Sequence, residues 1–177
     1  MQRYARAAIV FHWLIALLIV GAFALGLVMT DIHGLTPTKV KYYSWHKWAG
    51  VTILALAALR LLWRLRNAPP AYPDTMQRWE KTAAHGLHLV LYGFMFGVPV
   101  SGYLYSLAAG VPVVYFGVLP LPSLIDANPA MKPVYSAIHY WLNMGMAALV
   151  ALHVAAVFKH MVIDRDGLVR RMMPGRG

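Results

Sequence analysis

Long apolar stretches alternate with short polar connections along this chain. Four of the stretches reach the length of about 20 residues that a helix needs to cross the hydrocarbon core of a bilayer. The connections are rich in Gly, Pro, Asn and Asp, which interrupt helices. The pattern predicts an all-α integral membrane protein in which residues 1–177 form one domain, a four-helix transmembrane bundle with spans at about 8–29, 45–63, 85–107 and 135–158.

A fifth apolar stretch, residues 110–125, is interrupted by Pro112, Gly117 and Pro120. Irregular backbone survives at membrane depth only where protein or water satisfies its polar groups. We therefore expect this segment to lie over the bundle as an interfacial or re-entrant loop.

The first span contains Ala22-Phe23-Ala24, which resembles a signal-peptidase site. The apolar run continues beyond that site to Met29, which is the length of a membrane span. We therefore expect an uncleaved first helix.

Composition supports a bilayer setting, since 60% of the residues are hydrophobic, 12% are charged and the mean hydropathy is +0.56. The net charge of +10 comes from Lys and Arg beside the apolar stretches, so we expect no nucleic-acid partner. Twelve of the sixteen positive side chains, Arg176 among them, flank one set of span ends, and four flank the other. The positive-inside rule therefore predicts a multi-pass protein with both termini cytoplasmic.

Four histidines, His12, His46, His139 and His153, fall inside long apolar runs, and an ionisable residue at membrane depth is by default a candidate functional group. His139 and His153 are fourteen residues apart, so they share one helical face and lie about 21 Å apart along its axis. His12 is predicted to lie at the same depth as His153, near the inner ends of the spans. His46 is predicted to lie at the same depth as His139, near the outer ends. Each pair could grip an iron porphyrin from both sides, which predicts that the bundle encloses two bis-histidine b-type haems.

Other interpretations of these histidines stay open. A single buried histidine is most often a hydrogen-bonded packing residue. Zinc usually takes three or four protein ligands, and no carboxylate stands beside these positions. Copper or iron transport could use the ten methionines, but these are scattered apart from Met172-Met173. The absence of cysteine excludes disulfides, thiolate-bound iron–sulfur clusters and covalent CxxCH haem attachment within this chain.

Five short motifs carry a resemblance to a known family. They are Phe11-His12-Trp13, Trp45-His46, Ala84-His85-Gly86-Leu87-His88, Leu152-His153-Val154-Ala155-Ala156, and the tail Asp166-Gly167-Leu168-Val169-Arg170-Arg171-Met172-Met173-Pro174. On these motifs the chain resembles the bacterial cytochrome b561 family over almost its whole length. The resemblance implies a di-haem quinone oxidoreductase of the bacterial inner membrane, with His12 and His153 on the inner haem and His46 and His139 on the outer one.

The short stand-alone form is similar to family members that pass electrons from superoxide to ubiquinone. Bis-imidazole ligation leaves the iron without an open coordination position, so the predicted role is the relay of single electrons. Superoxide is small and anionic, and Lys39, Lys41 and Lys47 near the outer surface could steer it electrostatically. Simple anchoring at the membrane interface is the alternative role for these lysines.

Quinone reduction needs protons as well as electrons. His160 lies seven residues beyond His153, on nearly the same face and about 10 Å further inward, and His88 begins the third span on that side. Histidine can donate to a quinone oxygen or relay a proton near neutral pH. The residues and the resemblance together predict that His88 and His160 bind ubiquinone. His85 could contact a haem propionate or the interface, and we expect His33 to be solvated.

Three classes of function stay open: an autonomous superoxide:quinone oxidoreductase, a cytochrome b subunit that anchors a separate dehydrogenase or hydrogenase, and a haem or metal carrier. The short loops leave almost no soluble mass, which favours the first class. The expected partners are superoxide, ubiquinone and the lipid bilayer, and a weak homo-oligomer or a redox partner subunit stays open.

Gly93 and Gly97 form a small-xxx-small pattern that predicts close helix packing there.

Overall fold

Long helices dominate the computed structural model, which describes residues 2–175. Arg176, counted above among the positive charges, lies outside the described residues. Within that range the long helices are α1 (Arg6–Asp31), α2 (Pro37–Arg66), α3 (Arg78–Ala108) and α4 (Lys132–Phe158). All four are long and apolar enough to cross a membrane. The predicted four-helix membrane bundle is thereby confirmed.

Each helix begins before the apolar stretch that predicted it, and at α2 and α3 capping residues hold the polar first turn. At the start of α2 the Thr36 hydroxyl accepts from the backbone N–H of Lys39 at 3.1 Å. At the start of α3, Gln77 and Glu80 form a capping box. Hydropathy marks only the part of a helix suited to hydrocarbon, so these polar turns lay outside the predicted spans.

The four helices alternate in direction and pack in chain order. Close backbone approach joins α1 with α2, α2 with α3, and α3 with α4, whereas α4 stands further from α1 and α2. A small buried cluster lies between the helices and contains Ile15, Ala57, Tyr92, Met95 and Met146. The bundle therefore has a thin apolar core, and pairs of histidine rings bridge the wider separation between α4 and the first two helices.

The first and last described residues lie at one end of the bundle, which we call the termini end. The backbone N–H of Tyr4 donates to the Arg171 carbonyl at 3.3 Å, and the Trp13 indole donates to the Met172 carbonyl at 2.8 Å. Beyond α4 a π-helical turn, Lys159–Asp164, and a 3-10 turn, Val169–Arg171, carry the chain back under the bundle. The tail is thus fastened to the start of α1.

Residues 109–131 cover the opposite end, which we call the hairpin end. They contain a short antiparallel pair, β1 (Val114–Tyr115) and β2 (Leu119–Pro120). The Trp48 indole donates to the Val114 carbonyl at 2.8 Å, and the Thr52 and Tyr115 hydroxyls are 2.8 Å apart. The segment expected to be an irregular loop therefore does rest on the bundle, with a two-stranded turn at its centre.

Candidate functional site

The hairpin end holds one histidine pair between α2 and α4. The ring centroids of His46 and His139 are 6.2 Å apart. Nδ1 of His46 donates to the Ala22 carbonyl at 3.0 Å, and Nδ1 of His139 donates to the Val98 carbonyl at 3.1 Å. When a backbone carbonyl holds Nδ1, Nε2 is the nitrogen left to bind a metal, and its direction is fixed.

The termini end holds a second pair at nearly the same spacing. The ring centroids of His12 and His153 are also 6.2 Å apart. His88, which the sequence assigned to the quinone, lies against this pair, with its ring centroid 5.4 Å from that of His153. Its Nδ1 donates to the Ala84 carbonyl at 2.6 Å. The structure thus gathers three histidines at this level, and both pairings expected from depth along the helices are met.

The 6.2 Å spacing discriminates between kinds of metal site. With metal–nitrogen bonds of about 2.0–2.1 Å, two imidazoles on opposite sides of one ion have ring centroids roughly 6.3 Å apart. Two ligands at a tetrahedral angle bring the centroids to about 5 Å. The centroid spacing of both pairs, 6.2 Å, is close to the value for opposed ligands. They therefore suit an iron porphyrin, whose planar ring occupies the positions between two axial ligands, better than a tetrahedral zinc ion.

Two glycines make room for the hairpin-end pair. A Cβ added at Gly102 would lie 2.8 Å from Cε1 of His139, and one added at Gly26 would lie 3.3 Å from Cε1 of His46. A Cβ added at Gly93 would meet no atom within 4 Å, and one added at Gly97 would meet its nearest neighbour at an ordinary 3.8 Å. The close approach expected at the Gly93 and Gly97 pattern is therefore found elsewhere, because a spacing motif does not tell which helix face meets a neighbour.

His160 occupies a separate site below α4. It is buried, with 9% of its surface exposed, and its Nδ1 lies 2.7 Å from Asp166 and 3.0 Å from Asp164. Asp166 also accepts from the backbone N–H of Leu168 at 2.9 Å, so its carboxylate is fixed in place. A left-handed residue, Arg165, turns the chain so that Asp166 points back at the histidine. These carboxylates were missed in the sequence, although both follow His160 within six residues.

An open cavity of about 280 Å³ adjoins this histidine. Its lining combines the imidazole with apolar and basic groups, from His160, Met161, Arg165, Gly167, Val169 and Arg170. π-helical turns such as the one that carries His160 are frequent at functional sites. The cavity therefore offers a titratable donor beside apolar surface at the end of a helix.

Lys159 joins this site to the start of α3. Its ammonium donates to Glu80 and to Asp164, both at 2.6 Å. Glu80 in turn accepts from the backbone N–H of Gln77 as part of the capping box. The ion pairs therefore hold the beginning of α3 against the π-helical turn of α4.

Each lysine proposed to steer superoxide has a local partner. Lys39 donates to the Ile32 carbonyl at 2.7 Å, and Lys47 donates to the Ser106 hydroxyl at 3.0 Å. Lys41 is exposed, with its ammonium 4.7 Å from the centre of the Trp45 ring. Of the three, Lys41 presents its charge most freely.

His33 and His85 are both exposed, as expected for His33.

Two arginines lie in α2 at the termini end. Arg60 and Arg64 are half-buried, and their guanidinium carbons lie 5.6 Å and 5.8 Å from the centre of the buried Tyr92 ring. In the loop nearby, burial raises the pKa of the Tyr72 hydroxyl. The two arginines therefore turn into the bundle instead of lying along its lipid-facing side.

Four membrane helices with two pairs of imidazole rings between them are typical of the class of integral membrane b-type cytochromes, which transfer electrons. The comparison with known families agrees with this class. The chain belongs to the prokaryotic cytochrome b561 family, whose model matches residues 3–175. Membership implies b-type haem and confirms the resemblance read from the sequence motifs.

Curated relatives cover almost the entire chain. Cytochrome b561 homolog 2 of Escherichia coli (strain K12) is 33% identical over 172 residues, which are 97% of this chain and 92% of that protein. Cytochrome b561 homolog 1 of the same organism is 26% identical over 99% of both chains. The probable superoxide oxidase CybB of Yersinia pestis is 27% identical, covering 98% of this chain and 97% of that protein.

Proposed function

We propose that this protein is a superoxide:quinone oxidoreductase, which accepts single electrons from superoxide at the hairpin end and delivers them to ubiquinone at the termini end. Two superoxide anions release two electrons and two molecules of oxygen, and ubiquinone takes up two electrons and two protons to become ubiquinol. The name of the Yersinia pestis relative supports superoxide as the donor. The observation that carries the proposal is the pair of 6.2 Å histidine spacings at two levels of α4.

Each histidine pair would hold one b-type haem, His46 with His139 and His12 with His153. Haem bound there would supply reversible one-electron chemistry. The protein's part is to fix the imidazoles. Carbonyl groups of Ala22 and Val98 set the direction of the two hairpin-end rings, and α4 sets the distance between the two levels at about 21 Å along its axis.

Superoxide would meet the protein at the hairpin end, where positive charge surrounds the start of α2. Lys39, Lys41 and Lys47 are the candidates for steering the anion, and exposed Lys41 presents its ammonium most openly. A local positive field raises the encounter rate of a small anion and weakens as salt is added. If these lysines only anchor the protein at the membrane interface, the encounter rate with superoxide should show no such dependence on ionic strength.

Ubiquinone would bind at the termini end, between His88 and His160. His160 suits the handling of protons, because Asp166 holds its Nδ1 and leaves Nε2 to donate to or accept from a quinone oxygen. The adjoining cavity supplies apolar surface for a quinone ring. His88 lies against the termini-end pair, so a quinone between these two histidines would be near that haem. The excess of positive side chains at this end supports a cytoplasmic location, in the inner membrane of a bacterium.

Haem stoichiometry tests the proposed ligands. We expect the detergent-purified protein to contain two b-type haems by pyridine haemochrome analysis. His139→Ala should lose the hairpin-end haem, and His153→Ala the termini-end haem, each leaving one. Exposed His33→Ala is the matched control and should keep both. One haem or none in a folded, haem-replete wild type would contradict the assignment.

Superoxide-driven ubiquinone reduction tests donor and acceptor together. Superoxide generated enzymatically should reduce the haems and then ubiquinone, and superoxide dismutase should abolish both. His160→Ala should retain both haems and slow quinone reduction. If ubiquinol reduces the haems normally while superoxide does not, the donor is instead a separate dehydrogenase or hydrogenase subunit.

A further inference from the structure

Helix α2 carries two arginines on the face that bears a proposed haem ligand. Arg60 follows His46 by fourteen residues, the same interval that separates His139 from His153 on α4. Arg64 follows His46 by eighteen residues, which is five helical turns, so it lies directly below His46 on the same face. The helical repeat therefore brings both arginines to the depth of the termini-end histidines.

The side chains turn toward those histidines. Both guanidinium groups lie over Tyr92, one of the few buried residues of α3. Tyr92 follows His88 by four residues, about one helical turn of α3, so the arginines that lie over its ring are near the level of that histidine. Two fixed positive charges thus adjoin the proposed haem position.

These two charges lack an acidic partner among residues 2–175. The ion pairs described there join Lys159 and His160 to Glu80, Asp164 and Asp166, away from this face of α2. The nearby tail adds Arg171, which is buried and whose Nε has no hydrogen-bond partner. Partly buried cations are costly unless an anion compensates them. The arrangement calls for an anion that enters between α2 and the histidines.

We propose that Arg60 and Arg64 form a carboxylate-binding site for the propionate groups of the haem held by His12 and His153. This inference rests on the proposed function. Haem b carries two propionates, and a guanidinium fork matches a carboxylate with two parallel hydrogen bonds. A lipid phosphate is the other source of the same anionic chemistry, and the experiment separates the two.

The first measurement is haem release from the purified full-length protein to an excess of apomyoglobin. Neutralising either arginine, as Arg60→Gln or Arg64→Gln, should speed the loss of one haem by about tenfold, because a charge-assisted hydrogen bond is removed. In a redox titration, one of two components should move to lower potential, since removal of a positive charge favours ferric iron. Arg66→Gln is the matched control, because Arg66 is exposed on the opposite face of the same helix end.

The second measurement modifies the haem instead of the protein. Full-length protein made under haem limitation is given either haem or haem dimethyl ester, whose carboxylates are blocked. Wild type should prefer haem by about tenfold or more, and the double variant Arg60→Gln/Arg64→Gln should lose that preference. Should the double variant fail to accumulate, the wild-type comparison and the single variants still decide.

Three results would each lead to a different conclusion about the role of the arginines or the function of the protein. Equal uptake of haem and its ester by wild type, with unchanged haem release in the variants, overturns the propionate site. Loss of binding to phosphatidylglycerol in the variants, with haem release unchanged, assigns the arginines to lipid phosphate and also overturns it. A wild type that binds no haem at all refutes the proposed function itself, which is a separate outcome.

Discussion

Gly102→Ala is expected to remove the hairpin-end haem. The new methyl group would lie 2.8 Å from Cε1 of His139, 3.1 Å from Nδ1 and 3.3 Å from Nε2. Ordinary contact begins at 3.4 Å, so the ring and the helix must separate by about 0.6 Å. Ligand constellations tolerate displacements of about 0.5 Å. The ring cannot swing aside freely, because Nδ1 is held by Val98 and lies 3.0 Å from the Ser101 hydroxyl.

The haem content of the purified variant, measured by pyridine haemochrome analysis, should therefore fall from two haems per chain toward one. Gly93→Ala is the matched control on the same helix, since no atom lies within 4 Å of its added Cβ, and it should keep both haems. Helix propensity alone favours alanine over glycine by about 1 kcal/mol, so it cannot explain a loss. Gly26→Ala, with its nearest contact at 3.3 Å, should be intermediate. Two haems with unchanged spectrum and potentials in Gly102→Ala would refute this steric reasoning.

Three further predictions concern the other sites. Asp166→Asn should retain both haems but slow quinone reduction about tenfold or more, because His160 loses the carboxylate that positions it. An unchanged rate of quinone reduction in steady-state assays would show that Asp166 is not part of the site. Lys41→Gln should lower the second-order rate with superoxide severalfold and flatten its dependence on ionic strength, measured by pulse radiolysis, whereas an identical salt dependence would leave Lys41 as an anchor. Glu80→Gln should leave the melting temperature nearly unchanged, because the ion pair to Lys159 is partly exposed and glutamine preserves the capping box. A large drop in melting temperature would show that the pair contributes more than surface ion pairs do.

The helices and the histidine pairings could be predicted because both depend on regular spacing. Runs of apolar residues fixed the number of helices, and the 1.5 Å rise of a helix fixed the depth of each histidine. His12 meets His153 and His46 meets His139 as that depth requires. The same arithmetic applied to α2 would have found Arg60 and Arg64, whose interval from His46 was available in the sequence.

Contacts that depend on loop geometry or on the rotation of a helix could not be predicted in this way. Gly102 matters because of the face that α3 turns toward His139, which no residue pattern specifies. Asp166 reaches His160 only because Arg165 adopts a left-handed conformation, which is uncommon for a residue with a side chain. The hairpin around Val114 likewise depends on its contacts with Trp48 and Thr52.

The position of α4 in the chain also constrains how the protein is made. This last long helix contributes one histidine to each pair, His139 to one level and His153 to the other. A nascent chain that has inserted only α1, α2 and α3 therefore presents His12 and His46 without their opposed partners. Cofactor capture that requires both imidazoles must then follow synthesis and insertion of the final helix, when the tail also fastens to Tyr4 and Trp13.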